Sequence, residues 1–417
     1  MTSAHLLRSG MVDALVTGGR VLSPAVEDAL RAVPRHLFLP GVDVADAYAD
    51  GAVPVQHVDG AATSSASQPS MVAIMLEQLA LRPGLRVLEI GAGTGWNAAL
   101  MARMVGPAGH VTSVDIDPGL VASAAVHLAA AGTGDVELVC ADGALGHPPG
   151  APYDRIVLTV GSADVRPEWV AQLAPAGRLL VPLGVRGSQL SIAFDLGPDG
   201  VLRSDSVRGC SFIRLRGIGA ERDAVVPLPG GGAVQVPADG PGVDAEAVAT
   251  VLLDPRDPLT AGAALGYLTL GPQDVWDGFG LWLALTDLAA ARLLPTGSGP
   301  VAGLDLPVSA LVSPPGAEPG LAAAVLAEPR DSGVRTALAV RPFGPAGHPL
   351  AVRLLGALRA WWAAGCPGAP AWRITVWPED GSPPAPGVVT VRTSAHRLLL
   401  DLPPVAAAPE LRPPGPG

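Results

Sequence analysis

The stretch Glu89-Ile90-Gly91-Ala92-Gly93-Thr94-Gly95 carries the first chemistry in this chain. Its acidic residue follows the apolar run Arg86-Val87-Leu88, and a helix-compatible run, Trp96 to Ala102, follows the last glycine. Glycines tolerate φ > 0 and let a backbone approach a ligand with no Cβ in the way. The spacing is G-x-G-x-G and departs from the G-x-G-x-x-G of pyrophosphate-binding turns. Asp115 ends the next apolar run, Val111-Thr112-Ser113-Val114, and Asp142-Gly143 follows a third. An ionised Asp is acceptor-only and can take two hydrogen bonds from a pair of hydroxyls. Ligands of open α/β sheets bind at the carboxyl ends of the strands, where all three signals fall. Ser64-Ser65-Ala66-Ser67-Gln68-Pro69-Ser70 is a second polar cluster, and alone it reads as a capping turn before a helix.

The elements that must position these residues alternate. Ser23-Pro24 starts a helix to about Ala32, with an N-cap followed by Pro at the first helical position. Gln68-Pro69 starts another, with Val72, Met75, Leu76 and Leu79 on one face. Strands are predicted at Arg86–Ile90, His110–Asp115, Val136–Cys140, Arg155–Val160 and Arg178–Pro182, with Gln189–Leu196 and a run near Cys210–Leu215 completing the sheet. Such apolar strands separated by helices imply a parallel sheet covered on both faces. Asp117 is expected to cap the helix after Pro118.

Length and composition set the frame. A chain of 417 residues implies two domains. A formal charge of −11, with no lysine, argues against nucleic acid as the main partner. Cys140, Cys210 and Cys366 form no zinc or redox spacing and fit a reducing cytoplasm. No apolar run reaches membrane-spanning length and no signal-peptide core is seen, so a cytoplasmic protein with no membrane partner is expected. Residues 1–220 read as the catalytic domain, 221–242 as a Gly/Pro-rich linker, and 243–403 as a smaller α+β domain. In that second domain a helix is predicted at Pro349–Ala364 and strands at Ala337–Arg341, Ala371–Trp377, Val388–Arg392 and Leu398–Leu402. Residues 404–417 read as a disordered tail.

The glycine turn, with Asp115 and Asp142, resembles motif I and its neighbours in class I AdoMet-dependent methyltransferases. That resemblance implies a Rossmann-like, doubly wound α/β fold with a second, smaller α+β domain. It also implies S-adenosyl-L-methionine (AdoMet) as cofactor, held by Glu89, Gly91, Gly93, Gly95, Asp115, Asp142 and Gly143: glycines against the methionine part, Asp115 on the ribose, Asp142-Gly143 at the adenine.

A longer succession narrows the family. Val33-Pro34-Arg35-His36-Leu37-Phe38-Leu39-Pro40, Ala47-Tyr48-Ala49-Asp50, Ser67-Gln68-Pro69 and Arg82-Pro83-Gly84-Leu85-Arg86 running into Gly91 resemble the protein-L-isoaspartate O-methyltransferase family over about residues 10 to 215. The resemblance implies methylation of an isoaspartyl α-carboxylate in a peptide or protein, with collapse of the ester to a succinimide. It also implies that Ser65 and Ser67, standing in a Thr-x-Ser-Gln-Pro loop, meet the substrate carboxylate as the catalytic hydroxyls. Three departures stand out: a longer loop from Pro54 to Thr63, Ser65 in place of Thr, and Thr159-Val160-Gly161-Ser162-Ala163-Asp164 in place of an Ala-rich stretch. Phe343 to His348, Leu350 to Trp362 and Arg392 to Asp401 are similar to the C-terminal domain of actinobacterial long forms that modify ribosomally made peptides. That similarity implies, as an alternative, a dedicated Asp methyltransferase of a lanthipeptide, lasso peptide or graspetide. The rival from another class is a non-catalytic AdoMet-binding scaffold. His57, Arg214 and Arg216 read first as solvated residues, Trp361-Trp362 as at least half core, Cys140 as a buried filler, and Asp154 as a packing or turn residue.

Overall fold

A computed structural model describes residues 3–58, 60–133, 135–220, 225–260, 274–295, 308–326, 338–378 and 389–402. The chain opens with α1 (Ser3–Thr17), α2 (Pro24–Ala32) and the short α3 (Val44–Ala47). Ser23 caps α2 by accepting from the Val26 N–H. A hairpin follows, β1 (Val53–Val58) and β2 (Ala61–Ala66), then α4 (Pro69–Leu79). The predicted long loop before Ser67 is therefore a two-stranded antiparallel ribbon. Next come β3 (Arg86–Ile90), α5 (Trp96–Val105), β4 (His110–Asp115), α6 (Pro118–Ala130), β5 (Val136–Cys140), β6 (Tyr153–Leu158), α7 (Pro167–Val170), β7 (Leu173–Val185), β8 (Ser188–Leu196) and β9 (Leu202–Gly209).

Strands β3 to β7 pair in parallel in the order β7-β6-β3-β4-β5. Strands β8 and β9 extend the β7 edge antiparallel. The chain winds from β3 outward to β5, then returns to β6 on the other side of β3, which creates a switch point at the carboxyl end of β3. Alternate residues feed two cores. Leu88 and Ile90 join Ile156, Leu158 and Trp169 on one face. Val87 joins Val157, Leu180 and the apolar sides of α1, α2, α4 and α5 on the other. Each such fully buried aliphatic or aromatic side chain contributes about 1.5–3 kcal/mol. This is the expected doubly wound α/β architecture.

The later part comprises β10 (Val225–Pro227), β11 (Ala233–Gln235), α8 (Ala245–Val251), β12 (Leu259–Thr260), α9 (Phe279–Thr286), β13 (Ala290–Leu294), β14 (Val308–Val312), β15 (Leu321–Leu326), β16 (Leu338–Phe343), α10 (Gly347–Ala363), β17 (Arg373–Pro378), β18 (Val389–Arg392) and β19 (His396–Asp401). Strands β10 to β16 form a second, seven-stranded sheet. Three expectations need correction here. Segments 225–227 and 233–235 are strands of that sheet and not a linker, because their backbones pair with each other and with β13. The reading of 243–403 as one accessory domain also fails. Strands β17, β19 and β18 add to the main sheet at β9, making ten strands, and Trp372, Ile374, Leu398 and Leu400 lie in its core. Finally, 210–215 is no full strand: β9 takes the place beside β8, and Arg214 makes an isolated bridge to Gly161. The expected tail lies outside the described residues. Among the described residues no helix is long and apolar enough to cross a membrane.

Two polar joints fix the later part to the catalytic sheet. Asp164, 5% exposed, accepts from the Thr393 and Ser394 hydroxyls at 2.7 and 2.8 Å and from the Ala395 N–H at 2.6 Å. His396 Nδ1 lies 3.3 Å away. Burial alone would raise this carboxyl; the bonds from His396, Thr393, Ser394 and Ala395 outweigh it and hold it below its ordinary value. Arg186, in the β7–β8 turn, bonds Asp239 at 2.8 Å, the Ala284 carbonyl at 3.2 Å and the Thr390 carbonyl at 3.4 Å.

Candidate active site

The carboxyl ends of β3 and β4, the end of β2 and the segment 212–216 enclose one cleft of about 1000 Å³, open to solvent. Its walls include Thr63 to Ser67, Gly91 to Thr94, Trp96, Asp115, Gly143, Thr159, Val160 and Phe212 to Arg216. The structure thus brings Ser65, Ser67, Gly91, Gly93, Asp115 and Gly143 to one cavity.

The glycine wall is a close approach. Gly91 has φ 103°, and a Cβ there would stand 2.5 Å from Thr159 Oγ1. That hydroxyl donates to the Gly91 carbonyl at 2.5 Å, so the turn is locked onto Thr159. Gly143 is similar: a Cβ would meet Ile90 Cγ2 at 2.4 Å. Its carbonyl accepts from the buried Trp169 indole N–H at 2.9 Å.

Asp115, 8% exposed, is fixed by the Gly93 N–H at 3.0 Å and the Asp117 N–H at 3.1 Å. A carboxylate oxygen has two acceptor sites, so capacity for two hydroxyls remains. Arg216 lies across the cleft, 3.8 Å from Asp115 and 3.9 Å from Asp117. Asp117 caps α6 through the Gly119 and Leu120 N–H groups, as expected. It also accepts from Gln56 of the hairpin at 2.7 Å. That bond, more than any other, holds its carboxyl below the ordinary value. Thr63 in turn donates to Gln56 at 2.8 Å. The insertion before Ser67 is therefore a flap pinned to Asp117, the cap of α6.

Three expected cofactor residues sit off the wall. Gly95 turns the chain at φ 89° into α5. Both oxygens of Asp142 accept backbone N–H groups, from Ala144 at 2.9 Å and Ile218 at 2.8 Å, so it ties the 212–219 segment down. Glu89 is fully buried below the floor and accepts from Asn97 at 2.8 Å and Ser113 at 2.5 Å. It acts through Asn97, which lines the cleft. Burial pushes the Glu89 carboxyl from 4.5 to about 7, against the Ser113 and Asn97 bonds. The folded state therefore keeps this proton to a higher pH than the unfolded chain, and its stabilising contribution falls as pH rises from about 4.5 to 7. The loss is on the order of 3 kcal/mol. Glu89→Gln should remove that slope, so the melting temperature of the variant gains on wild type between pH 5 and pH 8. Parallel melting curves would contradict the reading.

Arg35 is a wall residue that spacing did not reveal. It is 1% exposed, with Nε donating to the Ala47 carbonyl at 2.9 Å and Nη2 to the Ala66 carbonyl at 3.4 Å. Its guanidinium lies 4.4 Å from the Trp96 ring centre. Burial lowers it to about 10, so it stays charged at neutral pH. It steadies Ala66 between the two serines. Asp50 steadies the other side, accepting from Gln68 at 3.1 Å and the Ser70 N–H at 2.9 Å. The motifs around residues 35, 50 and 68 are thus distant in sequence because they meet at one turn.

The remaining candidates fall elsewhere. His57 is exposed on β1 and does not line the cleft. Arg214 is exposed and Arg216 half-buried, in keeping with solvated residues, and both line the cleft mouth. Trp361 is core and Trp362 is 41% exposed. Asp154 accepts the Arg86 N–H at 2.8 Å, a structural role. Cys140 is exposed and not a buried filler, because β5 is the sheet's edge strand and its terminus faces solvent.

A family model described as protein-L-isoaspartate(D-aspartate) O-methyltransferase matches residues 7–219. A curated protein-L-isoaspartate O-methyltransferase of Methanopyrus kandleri is 39% identical over 212 residues, covering 50% of this chain and 91% of the relative. One from Anaeromyxobacter dehalogenans is 41% identical over 192 residues, covering 46% and 88%. A solved protein-L-isoaspartate O-methyltransferase aligns at 24% identity with a TM-score of 0.49, over 88% of this chain and 96% of that one. Across residues 7–219 the chain belongs to the protein-L-isoaspartate(D-aspartate) O-methyltransferase family, AdoMet-dependent enzymes of class I fold.

Proposed function

We propose that the chain transfers a methyl group from AdoMet to the α-carboxylate of an isoaspartyl residue in a peptide or protein. The observation that carries this is one cleft with the glycine turn and Asp115 on one wall and Ser65 and Ser67 on another. The bare backbone of Gly91 and Gly93 on the cleft wall, and the spare acceptor capacity of Asp115, fit AdoMet. Gly91, Gly93 and Gly143 would meet it through backbone and Asp115 through the ribose hydroxyls. When bound, AdoMet supplies an electrophilic methyl on a positively charged sulfur.

The chain's own residues do the rest. A carboxylate is already ionised at pH 7, so no general base is needed. Ser65 and Ser67 donate hydroxyl hydrogens to one carboxylate oxygen and leave the other free to attack. The hairpin and the segment 212–216 shield the pair from water. Alignment of this kind is worth up to about 7–11 kcal/mol. The product ester is then attacked by the neighbouring backbone amide nitrogen, methanol leaves, and a succinimide forms that opens partly to normal aspartate, as in protein repair.

An isoaspartyl peptide incubated with the protein and AdoMet should gain one methyl and then lose methanol. Absence of transfer to isoaspartyl and aspartyl peptides alike would refute this, and AdoMet binding without any turnover would favour a scaffold. One observation favours a narrower reading, a dedicated peptide substrate modified at Asp to aspartimide or isoAsp: the later part of the chain borders a groove that runs on from the cleft. A precursor peptide encoded beside the gene, turned over faster than generic isoaspartyl peptides, would support it.

A further inference from the structure

The hairpin β1–β2 is rooted at one end and clasped near the other. At the root, Val53 packs against the small cluster of Leu39, Ala47 and Ala66, and Arg35 bonds the Ala66 carbonyl. Farther out, Val55, His57 and Val58 are exposed, so burial does not hold the outer half of β1. Gln56 does. Its amide donates to Asp117 Oδ2 at 2.7 Å and accepts from Thr63 Oγ1 at 2.8 Å. Among the described residues, the bond to Asp117 is the one side-chain hydrogen bond that β1 makes outside its own hairpin.

The strands are shaped for this contact. Their register shifts on both sides of Gln56, skipping Val55 on β1 and Thr63 on β2. Such irregularities re-aim side chains and are over-represented next to active sites. The bonds continue beyond Asp117, whose N–H donates to Asp115 Oδ1 at 3.1 Å. An unbroken run therefore joins β2, which carries Ser65, to the carboxylate placed for the ribose. The hairpin also comes close to the glycine turn, since a Cβ at Gly93 would stand 4.0 Å from Ser64 Oγ.

We propose that Gln56 is a positioning residue that clasps the hairpin over the bound cofactor, retaining the cofactor and setting Ser65 against the acceptor. The inference rests on the proposed reaction only for the identity of that acceptor. A hydrogen bond to an ionised carboxylate is about twice as strong as a neutral one. Its loss leaves the apolar root in place, so the hairpin opens locally while the sheet stays folded.

The test reads cofactor retention, apart from turnover. Labelled S-adenosylhomocysteine is bound to the full chain, and its release is followed after a chase with unlabelled compound. Gln56→Leu keeps the volume and removes both bonds, and should release the ligand about tenfold faster. Gln56→Lys keeps a donor for Asp117 and should fall between Leu and wild type. Thr63→Val removes only the support behind the amide and should speed release about two- to threefold. Hydrogen exchange supplies a second readout. The ligand should protect the hairpin in wild type, and in Gln56→Leu that protection should be lost while β3 and β4 remain protected. Unaltered melting curves would show that the variants are folded. Release from Gln56→Leu at the wild-type rate, or a hairpin equally protected by the ligand in both proteins, overturns the inference. Failure of methyl transfer to isoaspartyl peptide, with these binding effects intact, would instead count against the proposed reaction alone.

Discussion

Ser67→Ala is expected to slow methyl transfer to an isoaspartyl peptide by about a hundredfold, roughly 2.7 kcal/mol on the barrier. Ser67 stands where β2 hands over to α4, between Ala66, held by Arg35, and Gln68, held by Asp50. Its backbone is therefore fixed from both sides, and removal of one hydroxyl leaves the wall in place. The lost donor would act on the substrate carboxylate as it turns into an ester, so the effect belongs in kcat more than in cofactor affinity. S-adenosylhomocysteine binding, measured by calorimetry, should change less than about twofold, because the glycine turn and Asp115 are untouched. Equal rates in wild type and variant would remove Ser67 from the reaction.

Asp164→Ala is expected to cost about 3–5 kcal/mol of stability, the scale for breaking a buried charged network. Its carboxylate gathers donors from Val165, Thr393, Ser394 and Ala395 and neighbours His396. Without it, the turn between β18 and β19 loses its anchor on the catalytic sheet. Hydrogen exchange should rise first at 389–401, ahead of β3 and β4. The pH dependence has a definite sign. Because the folded carboxyl is held below the unfolded value of 3.8, its stabilisation is complete above that value and is lost as pH falls further. Wild type should therefore lose stability on acidification and the variant much less. A variant melting with wild type would show that the hairpin is held by its apolar residues alone.

Local signals made the catalytic sheet legible. Strands β3 to β5 are short runs that end in or are followed within two residues by Gly or Asp, and the helix after β4 opens on Pro118 behind the cap Asp117. The remainder depended on partners far along the chain. The hairpin 53–66 mixes Val and Ala with Pro, Gln, Asp, Gly, Thr and Ser, so it reads as loop, and its register shifts twice between Pro54 and His57. Helix α1 has no acidic first turn or basic last turn to mark its ends. Strand β15, Leu-Ala-Ala-Ala-Val-Leu, has helix-forming composition that burial between β14 and β16 overrides. Most revealing is the return of β17 to β19 to the first sheet, since consecutive elements usually stay neighbours.

The site was half legible for the same reason. Gly91, Gly93, Asp115, Gly143 and the serines stand in local motifs and line one cleft. Glu89 and Asp142 stand in those motifs too, yet bond to Asn97, Ser113 and backbone, a distinction only packing reveals. Asp164, in the segment that departs from the family's Ala-rich stretch, acquires its role only once the C-terminal hairpin is seated on it.

The most direct test compares an isoaspartyl peptide with its aspartyl isomer in the presence of the wild-type protein and AdoMet, following mass by time. The account predicts a methyl ester on the isoaspartyl peptide, decaying to succinimide. Failure of the protein to bind AdoMet, or to methylate either isomer, would contradict it.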